Sequence, residues 1–146
     1  MNTQSTSIDP TTMLKPRRKL TGISAILLPL TSDHQIDEDS LRAHIARTAE
    51  HGLIPAVNMD TGYVHLIDDD WRRRVLDITK ETLGGGPFVA GSFVKDNPDS
   101  SFNSDEYARQ MAMIEEHGGM PVIFQSFGLI EQDGDTIVES YQQIAD

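Results

Sequence analysis

The chain has no cysteine, no long hydrophobic run and few basic residues among its 146. Without cysteine it can form no disulfide, thiolate metal site or cysteine nucleophile, which fits the reducing conditions of a cytoplasmic protein. No segment reaches the roughly 18 continuous apolar residues that cross a bilayer, so we expect no membrane partner. Twelve basic residues stand against 23 acidic ones, and the net charge of −11 argues against nucleic acid as a partner.

The first 20 residues differ from the rest of the chain. They are rich in Ser, Thr, Asn and Gln, show no periodicity, and end in the basic run Lys15–Lys19. No apolar stretch follows that run before Thr21, which argues against a secretory signal. We therefore predict a disordered N-terminal tail over 1–20 and one folded domain over 21–146.

Four apolar segments, each followed by an amphipathic helical pattern, make up the predicted domain. They begin near Ile23, Ile54, Pro87 and Pro121, at spacings of 31, 33 and 34 residues. Alternating strands and helices of this length indicate a parallel sheet covered by helices. The short, uniform crossovers, without a glycine-rich phosphate fingerprint after the first strand, favour a singly wound sheet. The predicted fold is α/β, a partial (β/α)8 TIM barrel of about four consecutive βα units with parallel strands.

The hydrophobic pattern also predicts where each element lies. Asp37, Asp68 and Ser104 are the expected N-caps of the first three helices. The predicted strands cover 22–29, 54–59, 87–94 and 121–127, and the predicted helices cover 38–51, 69–83, 105–117 and the residues after 135.

Four such units would form half of an eight-unit barrel. The first and last strands would then be open edges, which invite pairing with other chains. Three explanations are open: the natural polypeptide is longer, two copies pair, or the half is poorly stable alone.

In a barrel, the active site lies at the carboxyl ends of the strands. The loop after the second strand, 58–65, is the richest in functional groups there, although Asp60-Thr61-Gly62 is also a common turn sequence. Lys95 is the one lysine near a strand end on this face, and its polar loop is a poor setting for a Schiff-base lysine. Asp60 and His65 could contribute to a metal site but lack a third ligand.

Five segments in order carry a resemblance to a known family. The chain over about 20–146 resembles the N-terminal half of the dihydrodipicolinate synthase / N-acetylneuraminate lyase family. The segments are Gly22–Leu30, the helix start at Asp37, Asp60–Gly62, Val89–Ser92 and Val122–Phe127.

The resemblance implies a class I aldolase-type lyase, acting on pyruvate or a related 2-oxo acid. Its Schiff-base lysine would lie on strand six, beyond this chain, so no catalytic residue is expected here. It implies no cofactor and no metal, and a homo-oligomer, a tetramer or dimer. Thr61 would match the family's second hydroxyl and Gly62 its glycine, and together they would hold the substrate carboxylate.

This chain departs from the family pattern, as a divergent member would. Asp60 replaces a Ser or Thr, Tyr63 replaces a Glu, and Phe127 lies where a Tyr is usual. We expect Asp60, Thr61, Gly62 and Tyr63 to bind substrate. Three further residues would support them without contacting the substrate, namely Ser92, Ser126 and Phe127. The alternatives are a non-catalytic half-barrel that serves as a binding or assembly module, and a metal-dependent barrel enzyme.

Overall fold

The computed structural model describes residues 9–145, and these form one parallel sheet covered by helices. The four strands lie in the order β1-β2-β3-β4, and each pairs in parallel with the next. The predicted α/β half-barrel fold is therefore confirmed. The elements are β1 (Ile23–Ala25), α1 (Glu38–Glu50), β2 (Ile54–Val57), α2 (Asp69–Leu83), β3 (Val89–Ser92), α3 (Ser104–Glu116), β4 (Met120–Ile123), α4 (Phe127–Ile130) and α5 (Gly134–Ala145), with 3₁₀ turns at Pro10–Met13 and Asp60–Gly62.

The strand register divides the sheet into two faces. Ala25 aligns with Ala56, Ala56 with Val89, and Val89 with Met120, so these residues share one face. Because side chains alternate along a strand, their neighbours point to the other face, against the helices. There the main core forms, and its buried members are Ile26, Leu28, Leu41, Ile45, Val57, Val75, Leu76, Ile78, Phe88, Ala90, Met113 and Ile114.

The face away from the helices is apolar and partly open. Ile23 and Leu27 are each 57% exposed and Met120 is 67% exposed, whereas Ala56 and Val89 between them are buried. Among residues 9–145, β1 and β4 each have one edge without a strand partner. An intact barrel would bury this face in its interior.

The helix starts show how local sequence sets the elements. Asp37 accepts a hydrogen bond from the amide of Ser40 at 3.0 Å, and Asp68 accepts one from the amide of Trp71 at 2.9 Å, which confirms both predicted N-caps. The predicted cap Ser104 is wrong: Asn103 caps α3 by accepting from the amide of Glu106 at 3.0 Å. Both residue types suit this position, and the structure starts the helix one residue earlier.

The ends of the elements differ from the prediction in two ways. Every strand is shorter than predicted, because the chain leaves the sheet before its apolar run ends. Phe127 does not end the fourth strand, as predicted, but opens the short helix α4, which the sequence patterns did not indicate. No helix in 9–145 is long and apolar enough to cross a membrane.

The predicted tail over 1–20 lies partly outside the described residues, since its first eight are not among them, and so does Asp146 at the end of the predicted domain. The described part of the tail, 9–20, contains the short 3₁₀ turn Pro10–Met13. The side chains of 11–20 are all exposed.

Candidate functional site

The residues predicted to bind substrate lie at the carboxyl ends of the parallel strands. Four loops build this rim, namely 31–36, 60–67, 95–103 and 128–134. Residues 60–63, here called the strand-two turn, follow β2, and Ser92 ends β3. Ser126 and Phe127 follow β4 and begin α4. The sheet topology thus brings all seven predicted residues to one rim.

The strand-two turn is tightly folded on itself. The amide of Gly62 donates to the carbonyl oxygen of Met59 at 2.8 Å, and the amide of Tyr63 donates to that of Asp60 at 3.0 Å. The amide of Val64 also donates to Met59, at 3.3 Å. Tyr63 adopts a left-handed conformation with φ of 57°, which lets the chain reverse before α2.

The side chains of the turn have different surroundings. The hydroxyl of Thr61 donates to the backbone oxygen of Ile26 at 3.2 Å, which ties the turn to the end of the neighbouring strand. Gly62 is buried, whereas Asp60 and Tyr63 are exposed. Within 9–145, no donor contacts the Asp60 carboxylate and no group hydrogen-bonds the Tyr63 hydroxyl. The turn therefore presents a free carboxylate and a free phenol to solvent.

Arg72 on α2 supports this turn from behind, a role that the sequence analysis missed. Its guanidinium is buried and donates to the backbone oxygens of Val64 at 2.7 Å and Phe93 at 3.3 Å. It also pairs with Asp69 at 3.1 Å and lies over the Phe93 ring, 5.2 Å from its centroid. Burial lowers the pKa of Arg72, although Asp69 opposes this. Arg72 thus joins the loop after β2 to the loop after β3.

Asn58 is a second missed residue beside the turn. Its side-chain amide donates to the backbone oxygen of Arg72 at 3.1 Å, and its backbone has a left-handed φ of 52°. Gly91 on β3 packs against it so closely that a Cβ at position 91 would lie 2.1 Å from the Asn58 carbonyl oxygen. The one signal in the sequence was an asparagine in an otherwise apolar strand.

Ser126 and Phe127 connect to the third unit of the chain. The Tyr107 hydroxyl donates to the backbone oxygen of Phe124 at 2.7 Å and accepts from the amide of Ser126 at 3.1 Å. Burial raises the pKa of Tyr107. The Ser126 hydroxyl accepts from the amide of Leu129 at 3.3 Å and so caps α4. Ser92 is fully buried, and its hydroxyl has no partner within 9–145.

Asp96 joins the last two loops of the rim. Its carboxylate accepts from the amides of Phe127 at 3.0 Å and Gly128 at 2.7 Å. Nearby, the amide of Asp99 donates to the carboxylate of Glu131 at 2.8 Å. Three hydrogen bonds therefore tie loop 95–103 to the start of the fourth unit.

A cavity of about 960 Å³ opens between the starts of α2 and α3. An ionic network lies along it, in which Arg109 pairs with Asp69 at 2.5 Å and with Glu106 at 2.6 Å. Burial raises the pKa of Asp69, but hydrogen bonds from Gln110 and Arg109 outweigh it and the net pKa is lowered. The hydrogen bond from Arg109 is the main cause of the lowered pKa of Glu106. Lys95 also lines this cavity and is exposed.

The predicted pair Asp60 and His65 gains no third metal ligand. Among 9–145, no three His, Asp or Glu side chains are placed to hold a metal ion together. Asp68, at the start of the acidic run before α2, caps that helix. The structure therefore gives no support to the metal-dependent alternative.

The fold can be compared with known structures. It superposes on a monomeric dihydrodipicolinate synthase variant with a TM-score of 0.70 and 17% identity, over 94% of this chain and 42% of that one. For the chloride-inhibited dihydrodipicolinate synthase from Acinetobacter baumannii, in complex with pyruvate, the TM-score is 0.67 and the identity 17%, over 86% of this chain and 41% of that one. The fold is that of part of a dihydrodipicolinate synthase barrel. For a variant of the Sulfolobus solfataricus 2-keto-3-deoxygluconate aldolase, the TM-score is 0.62 and the identity 15%, over 86% of this chain and 40% of that one.

These likenesses confirm the predicted resemblance at the level of the fold. The chain spans about two-fifths of the length of these dihydrodipicolinate synthase and aldolase structures. No protein-family model matches the sequence. A search of curated proteins finds no match either.

Proposed function

We propose that this chain is part of a divergent dihydrodipicolinate synthase-family enzyme, a class I aldolase-type lyase. Its reaction would make or break a carbon–carbon bond next to the keto group of pyruvate or a related 2-oxo acid. The observation that carries the proposal is the match of four consecutive βα units to barrels of such lyases, over 86–94% of this chain. The Acinetobacter structure among them holds pyruvate.

The strand-two turn is the proposed contact with the substrate. It lies at the carboxyl rim, where barrel enzymes bind their ligands, and presents Asp60 and Tyr63 to solvent. Thr61 and Gly62 fix its shape through the contact with Ile26 and the bond to Met59. Ser92, Ser126 and Phe127 would support the rim from behind.

The proposed chemistry needs a lysine outside these residues. In such a reaction the lysine amine adds to the keto carbon and water leaves. The resulting iminium then accepts the electron pair of the bond that breaks. Lys95 is exposed in a polar loop, whereas a Schiff-base lysine needs a desolvated site to lower its pKa. No cofactor enters this scheme.

Trapping the iminium tests the proposal. Full-length protein would be incubated with borohydride and each of several 2-oxo compounds, including pyruvate, and its peptides analysed by mass spectrometry. We expect a reduced adduct on one lysine outside residues 1–146. An adduct on Lys95, or no adduct with any of the compounds, would contradict the proposed mechanism.

A second candidate, an assembly module, is favoured by the open sheet face. Ile23, Leu27 and Met120 expose more than half of their side chains there, and β1 and β4 have free edges within 9–145. Self-association of the chain, measured by light scattering, should then be lost in Met120→Glu. It should persist in Leu66→Glu, which changes an equally exposed side chain on the rim. A monomeric wild-type chain would exclude this candidate.

We also propose that the full-length enzyme is a cytoplasmic homo-oligomer, a dimer or a tetramer. The absence of cysteine supports a reducing compartment. Sedimentation of the full-length protein measures the oligomeric state.

A further inference from the structure

The strand-two turn has few hydrogen-bond donors left for a ligand. The amides of Gly62, Tyr63 and Val64 already bond to backbone oxygens of the turn. The Thr61 hydroxyl gives its one hydrogen to Ile26. Of the donors of the turn, only the amides of Asp60 and Thr61 and the Tyr63 hydroxyl have no acceptor within 9–145. A bound carboxylate, which only accepts hydrogen bonds, would have to use these donors beside the Asp60 carboxylate.

The side-chain acceptors of Asp60 and Thr61, by contrast, are free. The Asp60 carboxylate is exposed, and within the described chain nothing donates to it. The oxygen of the Thr61 hydroxyl keeps its lone pairs, because it acts as a donor in its contact with Ile26. A ligand at this turn therefore meets one strong acceptor and one weaker acceptor, next to two amide donors and the Tyr63 hydroxyl.

The charge of the rim also disfavours an anion at the turn. The four rim loops contain six acidic residues and a single lysine, Lys95. Like charges repel most strongly where solvent is partly excluded, as in the mouth of a barrel. No arginine or lysine side chain among 9–145 contacts Asp60 to offset its charge.

We propose that the strand-two turn binds an uncharged group that both donates and accepts hydrogen bonds, a carboxamide or a hydroxyl, instead of a carboxylate. The carbonyl of a carboxamide would accept from the amides of Asp60 and Thr61, and its N–H would donate to Asp60. The inference rests on the lyase chemistry of the proposed function and replaces its 2-oxo acid substrate. The substrate is a 2-oxo compound that is neutral at the end that meets this turn, such as a 2-oxo amide or a hydroxyketone.

Pyruvate and its amide, pyruvamide, form a matched pair of probes. They have nearly the same size and the same keto group. Pyruvate carries a carboxylate, which only accepts hydrogen bonds, where pyruvamide carries an uncharged carboxamide, which also donates them. Each would be titrated into the isotope-labelled protein while the amide chemical shifts of 60–64 are followed. We expect saturable shifts with pyruvamide, and at least about tenfold weaker binding of pyruvate, the usual size of one mismatched polar contact.

Substitution of Asp60 tests the cause of the preference. Asp60→Asn removes the charge and adds a donor, so pyruvate should bind about tenfold more tightly to it than to the wild type. Because Asp60 is exposed and unpaired within 9–145, this variant should fold normally. Asp99→Asn is the matched control: it removes the same charge from an exposed rim residue in another loop and should leave both affinities unchanged.

The outcomes separate this inference from the proposed function. If pyruvate shifts these amides more strongly than pyruvamide, the inference is overturned and the proposed function stands. If neither compound shifts them although a lysine is trapped as an iminium, the turn is not the substrate contact; the inference and the proposed substrate contact fail, and the proposed lyase chemistry stands. If neither shifts them and no lysine is trapped, both fail. Equal gains in pyruvate affinity in Asp60→Asn and Asp99→Asn would assign the preference to net charge and overturn the role of Asp60.

Discussion

The guanidinium of Arg72 donates a 2.7 Å hydrogen bond to the backbone oxygen of Val64, the residue directly after the strand-two turn. A helix side chain therefore holds the exit of the turn, and through Phe93 the same side chain reaches the end of β3. This contact therefore contributes to the shape of the candidate site.

Loss of the Arg72 guanidinium should destabilise the protein. Arg72→Gln leaves the Val64 and Phe93 oxygens without their donor in a buried place, and we expect the free energy of unfolding to fall by about 2–4 kcal/mol. Urea unfolding followed by circular dichroism measures it. Arg73→Gln, at an exposed neighbouring position, is the control and should cost less than about 0.5 kcal/mol. Equal losses in the two variants would show that the buried contacts do not stabilise the fold.

The Tyr107 hydroxyl should contribute measurably to stability, because it satisfies two backbone groups at once. Tyr107→Phe leaves the Phe124 oxygen and the Ser126 amide unpaired, and we expect a loss of about 1–3 kcal/mol in unfolding free energy. The matched control is Tyr63→Phe, which removes an exposed hydroxyl that has no partner in 9–145 and should be neutral. An unchanged unfolding free energy in Tyr107→Phe would mean that water replaces the hydroxyl at no cost.

A methyl group at position 91 should be poorly tolerated. In Gly91→Ala the new Cβ would lie 2.1 Å from the Asn58 oxygen and 2.7 Å from the Phe124 ring, so the strands must move apart. We expect a loss of at least about 2 kcal/mol in thermal or urea unfolding. Gly134→Ala meets no atom within 4 Å at the start of α5 and should be neutral or slightly stabilising. A stable Gly91→Ala protein would contradict the close approach of β2 and β3.

The ion pairs of Arg109 should make stability depend on pH in the acid range. They lower the pKa of Glu106 from its usual value of 4.5, and, with the hydrogen bond from Gln110 and against burial, they lower that of Asp69 from 3.8. The folded protein thus holds these protons less tightly than the unfolded chain. The stabilisation is complete above the unfolded values and is lost as the pH falls through the lowered ones.

Arg109→Gln measures this dependence. At pH 7 it should lower the unfolding free energy by about 0.5–1 kcal/mol, since the pairs are partly exposed. The difference from the wild type should shrink below pH 4.5 and vanish once both carboxyl groups are protonated in both states. Arg47→Gln, which changes an arginine without an ion pair in 9–145, should show no such convergence. A pH-independent difference for Arg109→Gln would rule out the ion pairs as its cause.

The sequence predicted the architecture well because the signals for it are local. The four apolar runs, the aspartate caps at positions 37 and 68 and the even spacing each depend on neighbours along the chain. The predicted N-cap Ser104 was wrong because asparagine and serine cap helices about equally well, and local chemistry does not distinguish Asn103 from Ser104. The prediction for Phe127 was wrong partly because its amide bonds to Asp96, 31 residues away, a contact that the local sequence does not show.

The site was predicted only in part for the same reason. The place of the strand-two turn follows from the topology, and the sequence located it. The sequence did not show that the turn's donors are used, because the partner of Thr61 is a backbone oxygen on another strand. The burial of Arg72 was also hidden, since an arginine in an amphipathic helix usually faces solvent.

The double hydrogen bond of Asp96 with Phe127 and Gly128 has a mechanical result. Together with the hydrogen bond from the Asp99 amide to Glu131, it couples loop 95–103 to the start of the fourth unit. A ligand that draws the third loop inward must bring the first turn of α4 with it, or rupture all three contacts.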